Sequence, residues 1–258
     1  MEFIKVIILG IIQGVSEFLP ISSSGHLVLF KQLMNVEAGL VLDTFLHFGT
    51  LIAVIFVFRE DVKNMIMFKG EYKKYNLYII IGSIPAAFVG FLFEDFFEGI
   101  NSNVTLVGFM LIVTAIILYL SDKISSKDYD ISDMNYKDSI FIGLAQAFAI
   151  FPGISRSGST IVGGLIRGLD RKFAARFSFL LSIPVITGAT LLQVKRLTEV
   201  TITGINYPEL IAGMVASIIT GYFSIKLLMK LINMKKLKYF AYYCFSLGLI
   251  LIFVLQVF

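Results

Sequence analysis

The sequence predicts an all-α polytopic membrane protein, folded as an inverted repeat in which each half is a re-entrant helical hairpin followed by three transmembrane helices. Three observations carry this expectation: an apolar composition, charge-free runs of membrane-spanning length, and a segment that occurs twice. Of the 258 residues, 57% are hydrophobic and 16% charged, against about 25% charged in a typical soluble domain. The mean hydropathy is +0.85.

Charge-free runs cover Asn76 to Phe93, Gly99 to Ser121, Phe177 to Val194, Leu210 to Ile225 and Tyr239 to Phe258. Their lengths are near the ~17–25 residues that cross a hydrocarbon core as helix. They are too many for the buried helices of a soluble domain. The first residues, MEFIKVIILGII, resemble the apolar core of a cleavable signal, but Gln13 and Glu17 follow directly with no small-residue cleavage pattern. The segment is therefore expected to remain in the protein.

The 22 Lys and Arg leave a net charge of +4 and fall mainly in short loops between the spans. That is where topology signals lie, so nucleic acid is not an expected partner. The single cysteine, Cys244, sits in an apolar run. It has no disulfide partner and no metal-site spacing, and is expected to face lipid.

Sliding the chain against itself until Leu9 meets Ile142 aligns Leu9 to Leu29 with Ile142 to Val162 without a gap. Identities fall at Gly10/Gly143, Gln13/Gln146, Phe18/Phe151, Ile21/Ile154, Ser22/Ser155, Ser24/Ser157 and Gly25/Gly158. They concentrate on Gln, Ser and Gly, types that are sparse in apolar segments. The first repeat is placed at 1–121, with a hairpin at 3–36 and spans at about 40–58, 76–94 and 103–121. A charged linker, 122–138, joins it to the second repeat at 139–258, with a hairpin at 140–168 and spans at about 173–194, 209–231 and 239–257. Together they form one integral membrane domain.

Neither hairpin arm is long enough to cross comfortably, since Pro20 and three serines interrupt the first and Pro152-Gly153 the second. Non-helical backbone at membrane depth is tolerated only where protein or a water-filled cavity covers it. Three crossings per half is an odd number, so the second half enters in the opposite sense, as in many transporters. Basic segments Arg59 to Lys74, Lys123 to Lys137, Arg167 to Arg176 and Lys230 to Lys238 all fall on one side. The other side holds Glu94, Asp95 and Glu98 in one loop and Lys195 and Arg196 in the next; Lys5 and Lys31 count mildly against the assignment. The positive-inside rule then puts both termini outside the cytoplasm. The hairpins enter from opposite faces, and their Ser-Gly tips meet near the midplane.

In the first loop, Gln13 and Glu17 lie one helical turn apart and point the same way. Burying a carboxylate centrally costs ~2.5–3.5 kcal/mol even on insertion scales, which makes Glu17 a functional candidate unless it snorkels to the interface. Ser22, Ser23, Ser24 and Gly25 can present backbone N–H groups to an anion at the start of a helix. Taken alone they read as readily as an N-cap. His26 beside them shifts the balance, because a histidine at an anion pocket can move protons or attack phosphorus.

The second loop carries Ser155, Arg156, Ser157, Gly158, Ser159 and Thr160. The guanidinium of Arg156 suits two-point binding of phosphate oxygens, or pairs structurally with a carboxylate such as Glu17. The copies differ at Glu17/Ile150, Ser23/Arg156 and His26/Ser159. One supplies acid and base, the other the cation. Asp43 and His47, again one turn apart, form a further candidate pair that either lines the polar cavity or acts directly.

With these residues in view, the chain resembles the bacitracin-resistance type undecaprenyl-diphosphatases of bacteria and archaea. QGVSEFLPISSSGH is similar to that family's E/Q-xxx-E segment with its Ser-rich loop, and PGISRSGST to its PGxSRSxxT motif. The similarity runs across essentially the whole chain. It implies hydrolysis of undecaprenyl diphosphate to the monophosphate carrier lipid at the outer face of the cytoplasmic membrane, recycling the carrier for cell-wall or glycan synthesis and conferring bacitracin resistance. It also implies a divalent cation, Mg2+ or Ca2+, at Glu17 and Gln13. The resemblance assigns the acidic pair to Gln13 and Glu17, the loop serine to Ser23, the histidine to His26 and the arginine to Arg156. Gln13 is the amide variant of its position, able to orient or coordinate but not to serve as acid or base.

The residues leave water, His26 and Ser23 open as the attacking group. Phosphate binding is expected from Arg156 with Ser22, Ser24, Gly25, Ser155, Ser157, Gly158 and Thr160. The expected partners are a polyprenyl diphosphate and membrane lipids, with a homodimer left open. The competing reading is a lipid-phosphate flippase or anion transporter using the same cavity. Glu17 and His26 beside Arg156 exceed what anion translocation requires.

Overall fold

A computed structural model of the chain describes residues 2–36, 40–93, 103–125, 127–199 and 206–253. Among them are eleven α-helices: α1 (Glu2–Phe18), α2 (Ser23–Leu33), α3 (Leu40–Val57), α4 (Arg59–Ile66), α5 (Tyr72–Leu92), α6 (Val104–Ser121), α7 (Tyr136–Phe148), α8 (Arg156–Ile166), α9 (Arg171–Glu199), α10 (Tyr207–Leu231) and α11 (Leu237–Phe253). The acidic loop at Glu94, Asp95 and Glu98 lies outside the described residues.

Helix starts follow local chemistry. Asn103 accepts from the Leu106 amide at 3.0 Å to cap α6. Asn135 and Asp138 form a reciprocal capping box at α7, satisfying backbone donors that the first turn leaves free. Pro208 occupies the first turn of α10, where its missing N–H costs nothing.

Four helices, α5, α6, α9 and α10, are long and apolar enough to cross a membrane; α3 and α4 pass together but meet at 85°. Six spans were expected. The sixth, α11, is apolar but has 17 described residues.

The helices pack through small residues. A methyl added to Gly10 of α1 would overlap the Gly213 carbonyl of α10, and one added to Gly143 of α7 would sit 2.5 Å from the Gly82 carbonyl of α5. Such close approach is how helices associate where lipid offers no hydrophobic driving force. Gly10 and Gly143 are an aligned pair, so the first helix of each half packs on a helix of the other half. At the centre Phe18 meets Phe179 edge-on at 5.7 Å, both fully buried.

One end of the bundle gathers the basic segments through polar contacts. Arg176 pairs with Asp61, Arg167 with Asp138 at 2.6 Å and Arg171 with Asp122 at 3.8 Å. The Lys238 amide also donates to Asp122 at 3.0 Å. Cys244 corrects its expectation: it is fully buried, and its Sγ lies 3.8 Å from the Pro20 carbonyl under the first loop. Hydropathy along a run identifies a span but not which face of the helix meets its neighbours.

Candidate active site

The turn between α1 and α2 is sharp. Ser22 stands at φ 69, a region that disfavours a side chain and recurs at functional sites. Its hydroxyl accepts from the Gly25 amide at 3.3 Å and approaches Ser24 Oγ at 3.2 Å. The turn between α7 and α8 is made differently. Gly153 takes φ 94, and a Cβ there would lie 2.5 Å from the Val107 carbonyl, so only glycine fits. Past it, Ser155 accepts from the Gly158 amide at 3.1 Å and approaches Ser157 Oγ at 3.2 Å.

The two turns touch. The Gly153 amide donates to Ser24 Oγ at 3.4 Å, and Ser157 Oγ donates to the Leu19 carbonyl at 3.4 Å. Across this contact Arg156 Nη2 donates to Glu17 Oε1 at 2.6 Å. The other carboxylate oxygen, Oε2, accepts from Ser23 Oγ at 2.5 Å and from Gln13 Nε2 at 3.1 Å. The aligned residues Ser23 and Arg156 therefore hold the two oxygens of one carboxylate. Glu17 is 8% exposed and Gln13 fully buried. Breaking such a buried pair on one side strands a charge, at a cost of about 3–5 kcal/mol.

His26 is held at both ring nitrogens. Nδ1 lies 2.7 Å from the Ser22 carbonyl and Nε2 lies 2.7 Å from the Tyr243 hydroxyl of α11. A carbonyl only accepts, so Nδ1 carries the proton, and in the neutral ring the lone pair is on Nε2, capped by the tyrosine O–H. The two rings lie nearly parallel, 12° apart, with centroids at 5.6 Å.

Two polar atoms of the cluster have no partner among the described residues: Arg156 Nη1 and Gln13 Oε1. The first suits an anion, the second a cation. A hard divalent cation takes oxygen ligands and commonly one or two carboxylates completed by substrate phosphates. Glu17, with the free Gln13 carbonyl oxygen, fits such a one-carboxylate site. No cluster of three or more His, Cys, Asp or Glu occurs among the described residues.

The remaining expected residues divide. Asp43 pairs with Lys31 at 2.6 Å. His47 bonds the Asp43 carbonyl through Nδ1 at 2.8 Å. Thr160 has its hydroxyl engaged by the Arg156 carbonyl at 2.9 Å and by Ser178 Oγ at 2.6 Å. It ties α8 to α9. Sequence reasoning did not single out Tyr243, or Thr114, which donates to the Gly153 carbonyl and accepts from the Ser155 amide at 2.9 and 3.0 Å. Both lie in apolar runs on distant helices, and nothing local marks them. Gln146 did carry a signal, its identity with Gln13.

A family model described as bacitracin resistance protein BacA matches residues 6–250. A relative from Halothermothrix orenii named undecaprenyl-diphosphatase is 48% identical over 259 residues, covering 100% of both chains. One of the same name from Methanosphaera stadtmanae is 45% identical, covering 98% of each. Undecaprenyl-diphosphatase 4 of Bacillus thuringiensis is 45% identical, covering 98% of this chain and 97% of its own.

Proposed function

The chain belongs to the BacA family of bacitracin resistance proteins, and on that premise we propose that its two-loop centre hydrolyses undecaprenyl diphosphate to the monophosphate and inorganic phosphate. This recycles the carrier lipid and accounts for bacitracin resistance. The observation that carries the reading is the Glu17 carboxylate held between Ser23 and Arg156 across the contact of the two loops.

Arg156 exchanges its contact with Glu17 for the terminal phosphate, to which Nη1 is already free to donate. Amides at the starts of α2 and α8 add donors aimed at the same charge. Attack on the terminal phosphorus breaks the bridging P–O bond, and the prenyl monophosphate leaves with the bridging oxygen. Two routes deliver the attacking oxygen, and a third goes through nitrogen. His26 Nε2 takes a proton from water once Tyr243 releases it, or Nε2 attacks directly. Alternatively Ser23 Oγ attacks, with Glu17, its partner at 2.5 Å, accepting the proton; in either covalent route water then attacks the phosphoenzyme, breaks its bond to His26 or Ser23 and releases inorganic phosphate. A divalent cation held by Glu17 and Gln13 would neutralise phosphate charge.

The reading includes a membrane arrangement: two re-entrant hairpins in an inverted repeat, with the centre open to the extracytoplasmic side of the cell membrane. Its support is the single end at which the basic segments gather through Asp61, Asp122 and Asp138.

The test is phosphate release from undecaprenyl diphosphate by purified protein in detergent with Mg2+ or Ca2+. Activity that disappears in His26→Ala is expected. A silent wild-type protein with either metal overturns the reading. Mapping a quenched phosphoenzyme to His26 or Ser23 identifies the nucleophile, and no trapped species indicates water.

A further inference from the structure

Between α5, α7 and α9 lies a cavity of about 320 Å³. Its walls are made by small apolar residues, among them Ala86, Gly90, Ala149 and Gly188, and its polar groups include Gln146 and Arg156. Phe91 and Leu192 also line it and are exposed on the outside of the bundle, so it opens sideways toward the membrane.

Gln146 is 1% exposed, and both of its side-chain polar atoms, Nε2 and Oε1, are buried without a partner. Arg156 Nη1 is in the same condition. A buried amide with neither end satisfied is costly and calls for an explanation. The repeat supplies one. In the first copy Gln13 donates to Glu17 at 3.1 Å; in the second, the residue aligned with Glu17 is Ile150. Gln146 thus keeps the donor of the pair and lacks the carboxylate. An anionic oxygen brought by a ligand would take that place, with Nη1 of Arg156 donating beside it.

We propose that this cavity holds the head-proximal isoprenoid units of the prenyl diphosphate, with Gln146 Nε2 and Arg156 Nη1 donating to its phosphate oxygens. The proposal rests on the prenyl-diphosphate reading above and specifies where that lipid sits. An amphiphile with an anionic head and an apolar tail matches a site that joins the donors of Gln146 and Arg156 to largely apolar walls. The volume is at the low end of the ~300–1,000 Å³ of small-molecule sites, so most of a long tail stays in the bilayer.

Gly188 offers a clean probe, because a Cβ there meets nothing within 4 Å. Gly188→Phe fills the cavity, and an unchanged melting temperature in detergent shows that the fold is kept. With the purified full chain, its KM for farnesyl diphosphate is expected to rise about tenfold or more relative to its KM for methyl diphosphate, which has no tail to place. Gln146→Leu is expected to raise KM for both substrates. A ratio unchanged by Gly188→Phe, or a KM unchanged by Gln146→Leu, overturns the proposal.

A farnesyl methylenediphosphonate carrying a photoactivatable group on its tail reads the site without turnover. It is expected to label α5, α7 or α9 in the wild type and to do so less in Gly188→Phe; labelling elsewhere overturns the site. If wild-type protein releases no phosphate yet the label lands in this cavity, the hydrolase reading fails and the lipid site stands. If the wild type is active and Gly188→Phe is indistinguishable from it, the site fails and the hydrolase reading stands.

Discussion

In the first Ser-Gly loop, Ser22 accepts from the Gly25 amide at 3.3 Å and lies 3.2 Å from Ser24 Oγ. In the second, Ser155 accepts from the Gly158 amide at 3.1 Å and lies 3.2 Å from Ser157 Oγ. The helices that follow, Ser23–Leu33 and Arg156–Ile166, have the same length, 11 residues. The backbone device is the same, while the aligned positions Glu17/Ile150, Ser23/Arg156 and His26/Ser159 all differ. The two turns share their N-cap geometry, and at these three positions one carries the carboxylate and imidazole and the other the guanidinium. Each half alone is incomplete, because Glu17 of one loop is held by Arg156 of the other.

The comparison breaks most visibly at His26 and its counterpart. His26→Ala is expected to lower kcat by about a hundred- to ten-thousandfold, the usual span for a lost acid–base group. Ser159→Ala, at the aligned position, should leave phosphate release close to wild type. Equal losses would show that the copies do not divide the work.

Next in size is the pair that joins the loops. Arg156→Ala leaves Glu17 buried without its cation and should destabilise the fold by about 3–5 kcal/mol. The double variant Glu17→Gln with Arg156→Gln removes both charges and should recover much of that stability while remaining inactive. Thermal unfolding in detergent, read beside phosphate release, separates the two effects.

The turns themselves give smaller and unequal effects. Gly153→Ala forces a side chain to φ 94 and against the Val107 carbonyl, and should cost about 1–3 kcal/mol. Ser22→Gly relieves the φ 69 position and replaces an N-cap by glycine, a change worth only about a few tenths of a kcal/mol. Unfolding midpoints of the two variants test whether strain is stored in one loop and designed out of the other. Tyr243→Phe removes one hydrogen bond from His26 and should lower the unfolding free energy in detergent by about 0.5–1.5 kcal/mol.

The helical, membrane-spanning character of the chain was legible because hydropathy and charge spacing report it directly. The pairing of Glu17 with Arg156 stands as one of two readings of the arginine, beside phosphate binding, and the structure makes that contact. What packs behind the loops was not legible. Tyr243 reaches His26 from α11, and Thr114 braces Gly153 and Ser155 from α6. Each lies in an apolar run where one polar residue reads as filler. Cys244 misled for the same reason, because an apolar run does not say which of its faces is inward. The bend between α3 and α4 falls at Phe58, where no proline or glycine marks a break.

The division of labour is tested most directly by comparing initial rates of phosphate release across undecaprenyl diphosphate concentrations for wild type, His26→Ala and Arg156→Lys. The account predicts that His26→Ala loses kcat with little change in KM. Arg156→Lys, which keeps the charge but not the fork of donors, should show its loss chiefly as a raised KM. The same pattern in both variants, or full activity in either, would contradict it.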